Sequence, residues 1–116
     1  MLAQYLDLTA DFNANNSVAF EMSNYDYAVI QMVNPSGTIA LTATNNSGAV
    51  QGVSDGSIDT AANYVTVQAT KLADGTAVTS LAAAGLYRVG VVGRYVKLGG
   101  ASAAADKVLV MLAKIS

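Results

Sequence analysis

The chain has 116 residues, with eight Asp and Glu, six Lys and Arg, a formal net charge of −2, and no His, Cys or Trp. That length suits one hydrophobic core rather than two, and without His or Cys the sequence excludes zinc fingers, thiolate nucleophiles, Ser-His-Asp triads and His-ligated metals. The slightly acidic balance leaves no basic footprint for nucleic acid.

The opening residues, Met1-Leu2-Ala3-Gln4-Tyr5-Leu6-Asp7, carry no Lys or Arg ahead of an apolar stretch and do not read as a secretion signal. No run of 18 apolar residues predicts a membrane-spanning helix. Residues 1–12 read as an N-terminal arm on a single domain, 1–116. Ser17–Met22 then alternates with period two, the mark of a half-buried strand, and puts Val18, Phe20 and Met22 on one face. Tyr25–Val33 sets Tyr25, Tyr27, Val29 and Val33 on one side and Ala28, Ile30 and Met32 on the other. A strand apolar on both faces is predicted to be central, or to meet another subunit with one of them.

Asn34-Pro35-Ser36-Gly37 has the chemistry of a tight turn, and Thr38–Thr44 resumes the alternation, so residues 25–44 read as a β-hairpin. Residues 45–63 are rich in Asn, Ser, Gly and Asp and read as a long connection, with a short strand at Ala49-Val50-Gln51. Tyr64–Thr70 alternates again, and Ala73-Asp74-Gly75 turns it into Thr76–Thr79 as a second hairpin. Leu86–Val91 and Arg94–Leu98 follow, separated by Val92-Gly93, and Gly99–Ser102 forms a further loop. The last run, Lys107–Ala113, is apolar on both faces and suits a central strand; with Tyr25–Val33 it is expected to supply the core and the protomer contacts. The alanine triplets at 82–84 and 103–105 are too short to nucleate helices and are allowed one helical turn each. About eight short strands with no long helical period predict an all-β fold, an antiparallel β-sandwich or jelly roll.

Few residues suit catalysis. Asp55 and Asp59 share a polar loop, and Asp7 and Asp11 form a second near pair. A glycosidase needs two carboxyl groups flanking a cleft, whereas Asp-Gly in a polar loop is the ordinary composition of a turn. The same loop offers oxygen ligands for calcium but lacks EF-hand spacing. Gly85, Gly90 and Gly93 are followed by no Gly-Lys-Ser/Thr, so they read as strand glycines rather than a phosphate loop. No enzyme activity, cofactor or metal is expected.

The charged fraction is 12%, against about 25% in a typical soluble domain. Interface cores are depleted in Lys, Glu and Asp, so part of this surface is expected to be covered by partners; an alanine-rich composition inherited from a GC-rich genome accounts for the small residues equally well. The residues expected at interfaces are Tyr25, Tyr27, Val29, Arg88, Arg94, Tyr95 and Lys97. The six tyrosines suit sugar stacking as well as protein contact.

Four segments follow a familiar order: Val53-Ser54-Asp55-Gly56, Tyr64-Val65-Thr66-Val67, Ala77 through Val89, and Gly93-Arg94-Tyr95-Val96-Lys97-Leu98. Over roughly residues 40–113 the chain resembles small β-sandwich structural proteins of tailed-phage virions, which include head-decoration, head-fibre and tail components. The resemblance implies a virion setting without catalytic residues. It leads to the expectation of a capsid decoration or cement protein on the outer capsid surface. Its partners would be itself, as a homotrimer, and the major capsid protein, with neither nucleic acid nor membrane. A trimer suits the local threefold points of a capsid lattice, where several weak contacts act together. The alternatives are a carbohydrate- or receptor-binding module of a fibre or tail, and a head–tail connector or tail-tube subunit.

Overall fold

Alternating apolar rows from the strands of two sheets close on each other in two layers. The computed structural model describes residues 2–45 and 64–115. In chain order the elements are β1 (Leu2–Asp7), α1 (Thr9–Asn15), β2 (Ser17–Glu21), β3 (Tyr27–Val33), β4 (Ala40–Thr44), β5 (Val65–Thr66), β6 (Ala69–Lys71), β7 (Ala77–Val78), β8 (Gly85–Val89), β9 (Tyr95–Gly99) and β10 (Lys107–Lys114). A six-stranded sheet runs β1-β10-β3-β8-β6-β7 and a four-stranded sheet runs β2-β9-β4-β5. Each strand pairing is antiparallel. The all-β antiparallel sandwich expected from the period-two pattern is therefore the fold.

The core lies between the layers. From the six-stranded sheet come Ala28, Ile30 and Met32 of β3, Tyr87 and Val89 of β8, and Val108, Val110 and Leu112 of β10. Val18 and Phe20 of β2, Leu41 and Ala43 of β4, and Val96 and Leu98 of β9 face them from the other layer. Burying side chains of this size contributes about 1.5–3 kcal/mol each relative to exposure. β3 and β10 occupy the interior positions predicted from their two-faced apolar runs.

Three local expectations are corrected. Residues 25–44 are not a hairpin: β3 pairs with β10 and β8, whereas β4 belongs to the other sheet. Both edges of β3 are occupied, and Asn34 and Gly37 take positive φ values of 49° and 75° that swing the chain out of its layer. Turn composition marks the change of direction but does not reveal whether the chain returns beside itself or crosses to the facing sheet. The alternating run Tyr64–Thr70 is likewise split, with β5 in one sheet and β6 in the other. The third correction is α1, which sequence reading missed. Its turns bury Phe12, with Leu8 just before them, and it ends at Asn16 in the left-handed conformation that Asn tolerates. Seven residues give too short a pattern for helical periodicity to stand out.

Other expectations hold. Asp74-Gly75 closes the β6–β7 hairpin, with Gly75 at φ 76° and the Asp74 carboxylate accepting from the Thr76 backbone N–H and hydroxyl. Neither alanine triplet is helical. The 103–105 segment is instead extended: the Asn13 side chain both donates to the Ala105 carbonyl and accepts from its N–H, and Asn16 donates to the Ala103 carbonyl. These bonds fasten α1 across one end of the sandwich. Residues 2–12, read as an arm, lie as β1 along β10 followed by the first residues of α1. The strand read at Ala49–Gln51 and the Asp55/Asp59 loop lie outside the described residues.

Candidate functional site

Because strand side chains alternate, each sheet that buries one row presents the other outward. The outward row of the six-stranded sheet is largely apolar. Register places Tyr5 opposite Met111, Met111 opposite Val29, and Val29 opposite Arg88. The next rung puts Asp7, Leu109, Gln31 and Leu86 side by side. Tyr5 is 76% exposed and Leu86 45%, while Val29, Leu109 and Met111 are half-buried by one another. Together with Gln31 they line a shallow depression of about 400 Å³. Charge is confined to its margins: Asp7 and Lys107 stand toward one end, and the Arg88 guanidinium lies 4.6 Å from the centre of the Tyr27 ring. That stacking spreads the Arg88 stem and the Tyr27 ring over the sheet instead of lifting the cation into water.

The four-stranded sheet presents a different exterior. Its outward rows carry Ser17, Ala19 and Glu21 of β2, Tyr95, Lys97 and Gly99 of β9, and Ala40, Thr42 and Thr44 of β4. The Lys97 ammonium sits 5.1 Å from the Tyr64 ring centre. Arg94 contacts Glu21 at 3.4 Å and lies over the Tyr95 ring. Among the described residues short polar and small side chains dominate these rows, and Ala19, Thr44 and Tyr95 in them are buried.

The seven residues expected at interfaces are divided by this geometry. Tyr27, Val29 and Arg88 come together on the outer face of the six-stranded sheet. Tyr95 and Lys97 belong to the opposite exterior, with Arg94 just before them. Tyr25 precedes β3, packs against the core and donates its hydroxyl proton to Gln4. The sequence places Leu109 and Met111 in a contact strand, Lys107–Ala113, and Tyr5 in the arm, but singles out neither these three nor Leu86 as a site residue. The signal for two of them was present, since counting by twos from Val108 sets Leu109 and Met111 opposite the core row.

Among the described residues no group of three acidic side chains is placed to hold a metal, and no helix is long and apolar enough to cross a membrane. Asp7 and Asp74 titrate below the ordinary carboxylate range, because each accepts hydrogen bonds from the threonine two residues on, from its hydroxyl first and its backbone N–H second. Both carboxylates are exposed and fix the backbone two residues on. Chemically, the outer face of the six-stranded sheet is equipped to bury apolar surface against a partner.

No protein-family model matches the chain, and no curated protein matches it in sequence. Among solved structures it is similar to the crystal structure of the SPBc2 prophage-derived protein YomS, with a TM-score of 0.63 over 97% of this chain and 94% of that one, at 11% sequence identity. At that identity the likeness is one of fold: this chain folds as a prophage-derived protein does, over nearly the whole length of both.

Proposed function

We propose that this chain is a non-enzymatic structural protein of a phage virion, a decoration or cement protein whose six-stranded sheet lies with its outer face against the capsid shell. The observation that carries the reading is the apolar outward row of Tyr5, Val29, Leu86, Leu109 and Met111 in a chain of only 12% charged residues. A depression centred on such a row and rimmed by Asp7, Lys107 and Arg88 has the anatomy of a protein interface, apolar within and polar at its border. Its fold likeness to a prophage-derived protein supports the phage setting. So does the sequence resemblance to small virion sandwiches.

A cement protein needs no cleft and no reacting group. Its work is to cover seams between shell subunits, where many copies each contribute modest burial and the lattice makes their effect collective. Co-sedimentation with phage heads stripped of the protein tests the proposal. The intact chain should pellet with the heads, Met111→Lys should weaken that binding at least tenfold, and Thr42→Lys on the other exterior should bind like the parent. Equal binding by Met111→Lys and parent, or no binding of the parent, would refute it.

A further inference from the structure

The margin of the six-stranded sheet at β1 carries an unused pairing edge. The Leu8 backbone N–H donates to the Val108 carbonyl, in line with the register that sets Leu2 opposite Lys114 and Leu6 opposite Val110. Antiparallel neighbours alternate between bonded and non-bonded pairs, so Leu2, Gln4 and Leu6 turn their backbone groups toward β10. Ala3, Tyr5 and Asp7 therefore turn theirs away, and among the described residues no backbone hydrogen bond is made on that side. Sheet edges are commonly protected by Lys, Pro, bulges or brevity. β7, at the other margin of the sheet, is two residues long. β1 is six residues long and contains no Lys, Pro or Gly; its one charge is at its last position, Asp7.

We propose that β1 pairs edge to edge and antiparallel with β1 of a second copy of this chain, around a two-fold axis midway between the two Tyr5 residues. The strand is self-complementary in that register. Tyr5 meets the partner's Tyr5, an aromatic cross-strand pair of the kind that stabilises sheets. Ala3 lies opposite the partner's Asp7, Gln4 opposite the partner's Leu6, and Leu2 opposite the partner's Leu8. The outward groups of Ala3, Tyr5 and Asp7 all find partners, and Leu2 and Tyr5, at 66% and 76% exposure, gain cover. Charge favours the same arrangement. The two Asp7 carboxylates stand four residues apart along the strand, about 13 Å, beyond a physiological Debye length of about 8 Å. A parallel pairing would bring them side by side. Because the axis is perpendicular to the sheet, both apolar outer faces point the same way and merge into one surface.

This pairing does not depend on shell binding, and its test is separate. Light scattering should give twice the 11.8 kDa of one chain. Ala3→Pro deletes a backbone N–H that points to the free edge and leaves the β1–β10 ladder intact, so it should give single chains that remain folded, with the far-UV circular dichroism of the parent. The protein has no cysteine, so Tyr5→Cys should oxidise to a covalent dimer, whereas Thr42→Cys should not. A single-chain or three-chain mass for the parent would overturn the proposal. So would a dimer that persists in Ala3→Pro while Tyr5→Cys fails to cross-link. Dimers that ignore phage heads would overturn the shell proposal and leave this one standing.

Discussion

The two exteriors of the sandwich are built by the same rule and differ in what they hold out to solvent. On the four-stranded sheet, Ser17, Glu21, Thr42 and Lys97 follow the usual division of a half-buried sheet, apolar inward and polar outward. On the six-stranded sheet that division fails at β3 and β10, where Val29, Leu109 and Met111 oppose the equally apolar Ile30, Val108 and Val110. A strand needs one apolar row to fold against its core. A second such row, on neighbouring strands at matched register, is the feature on which the proposed shell contact rests.

The difference can be broken by charge. Replacing both Leu109 and Met111 with Lys should reduce binding to phage heads about a hundredfold or more in a co-sedimentation titration, since central apolar anchors carry most interface energy. The matching pair Thr42→Lys and Thr66→Lys should change it less than about threefold. A smaller effect is expected where the chain passes from one layer to the other. Gly37 holds φ at 75°, and a Cβ there would run into the Ser102 carbonyl. Gly37→Ala should therefore lower folding stability by about 1–3 kcal/mol in chemical denaturation, affecting both exteriors together.

The cations sharpen the contrast more gently. Arg88→Ala removes the stack on Tyr27, for an expected loss of about 0.5–1 kcal/mol. Arg94→Ala removes an exposed pair with Glu21 and should cost about 0–1 kcal/mol. The smallest effect concerns pH. Thr9 holds the Asp7 carboxyl below its ordinary value, so its contribution is complete above about pH 3.9, the unfolded value. It fades as pH falls through the lower folded value. Asp7→Asn should flatten that part of the acid unfolding curve and leave stability near pH 7 little changed in its pH slope.

Much of this was legible in the sequence where period two is unbroken. The inward row of β2 follows directly from counting alternate residues, and the central placement of β3 and β10 follows from their two apolar rows, though counting does not say which row turns inward. What escaped was partnership between distant strands. Pro35 and Gly37 announce a turn, yet only the occupied edges of β3 decide that the chain must cross to the other sheet. The same limit separated Tyr27, Val29 and Arg88 from Tyr95 and Lys97: all sit on alternating strands, and nothing local says which layer each strand joins. Tyr5 stayed hidden for a related reason, since its neighbour Met111 lies more than a hundred residues away along the chain.

The most direct test is a cryo-electron microscopy reconstruction of an intact particle carrying this protein. Val29, Leu109 and Met111 should lie against the shell, with Thr42 and Lys97 facing the solvent. A reconstruction with the six-stranded sheet turned outward and bare, or with the protein absent from the shell, would contradict the account.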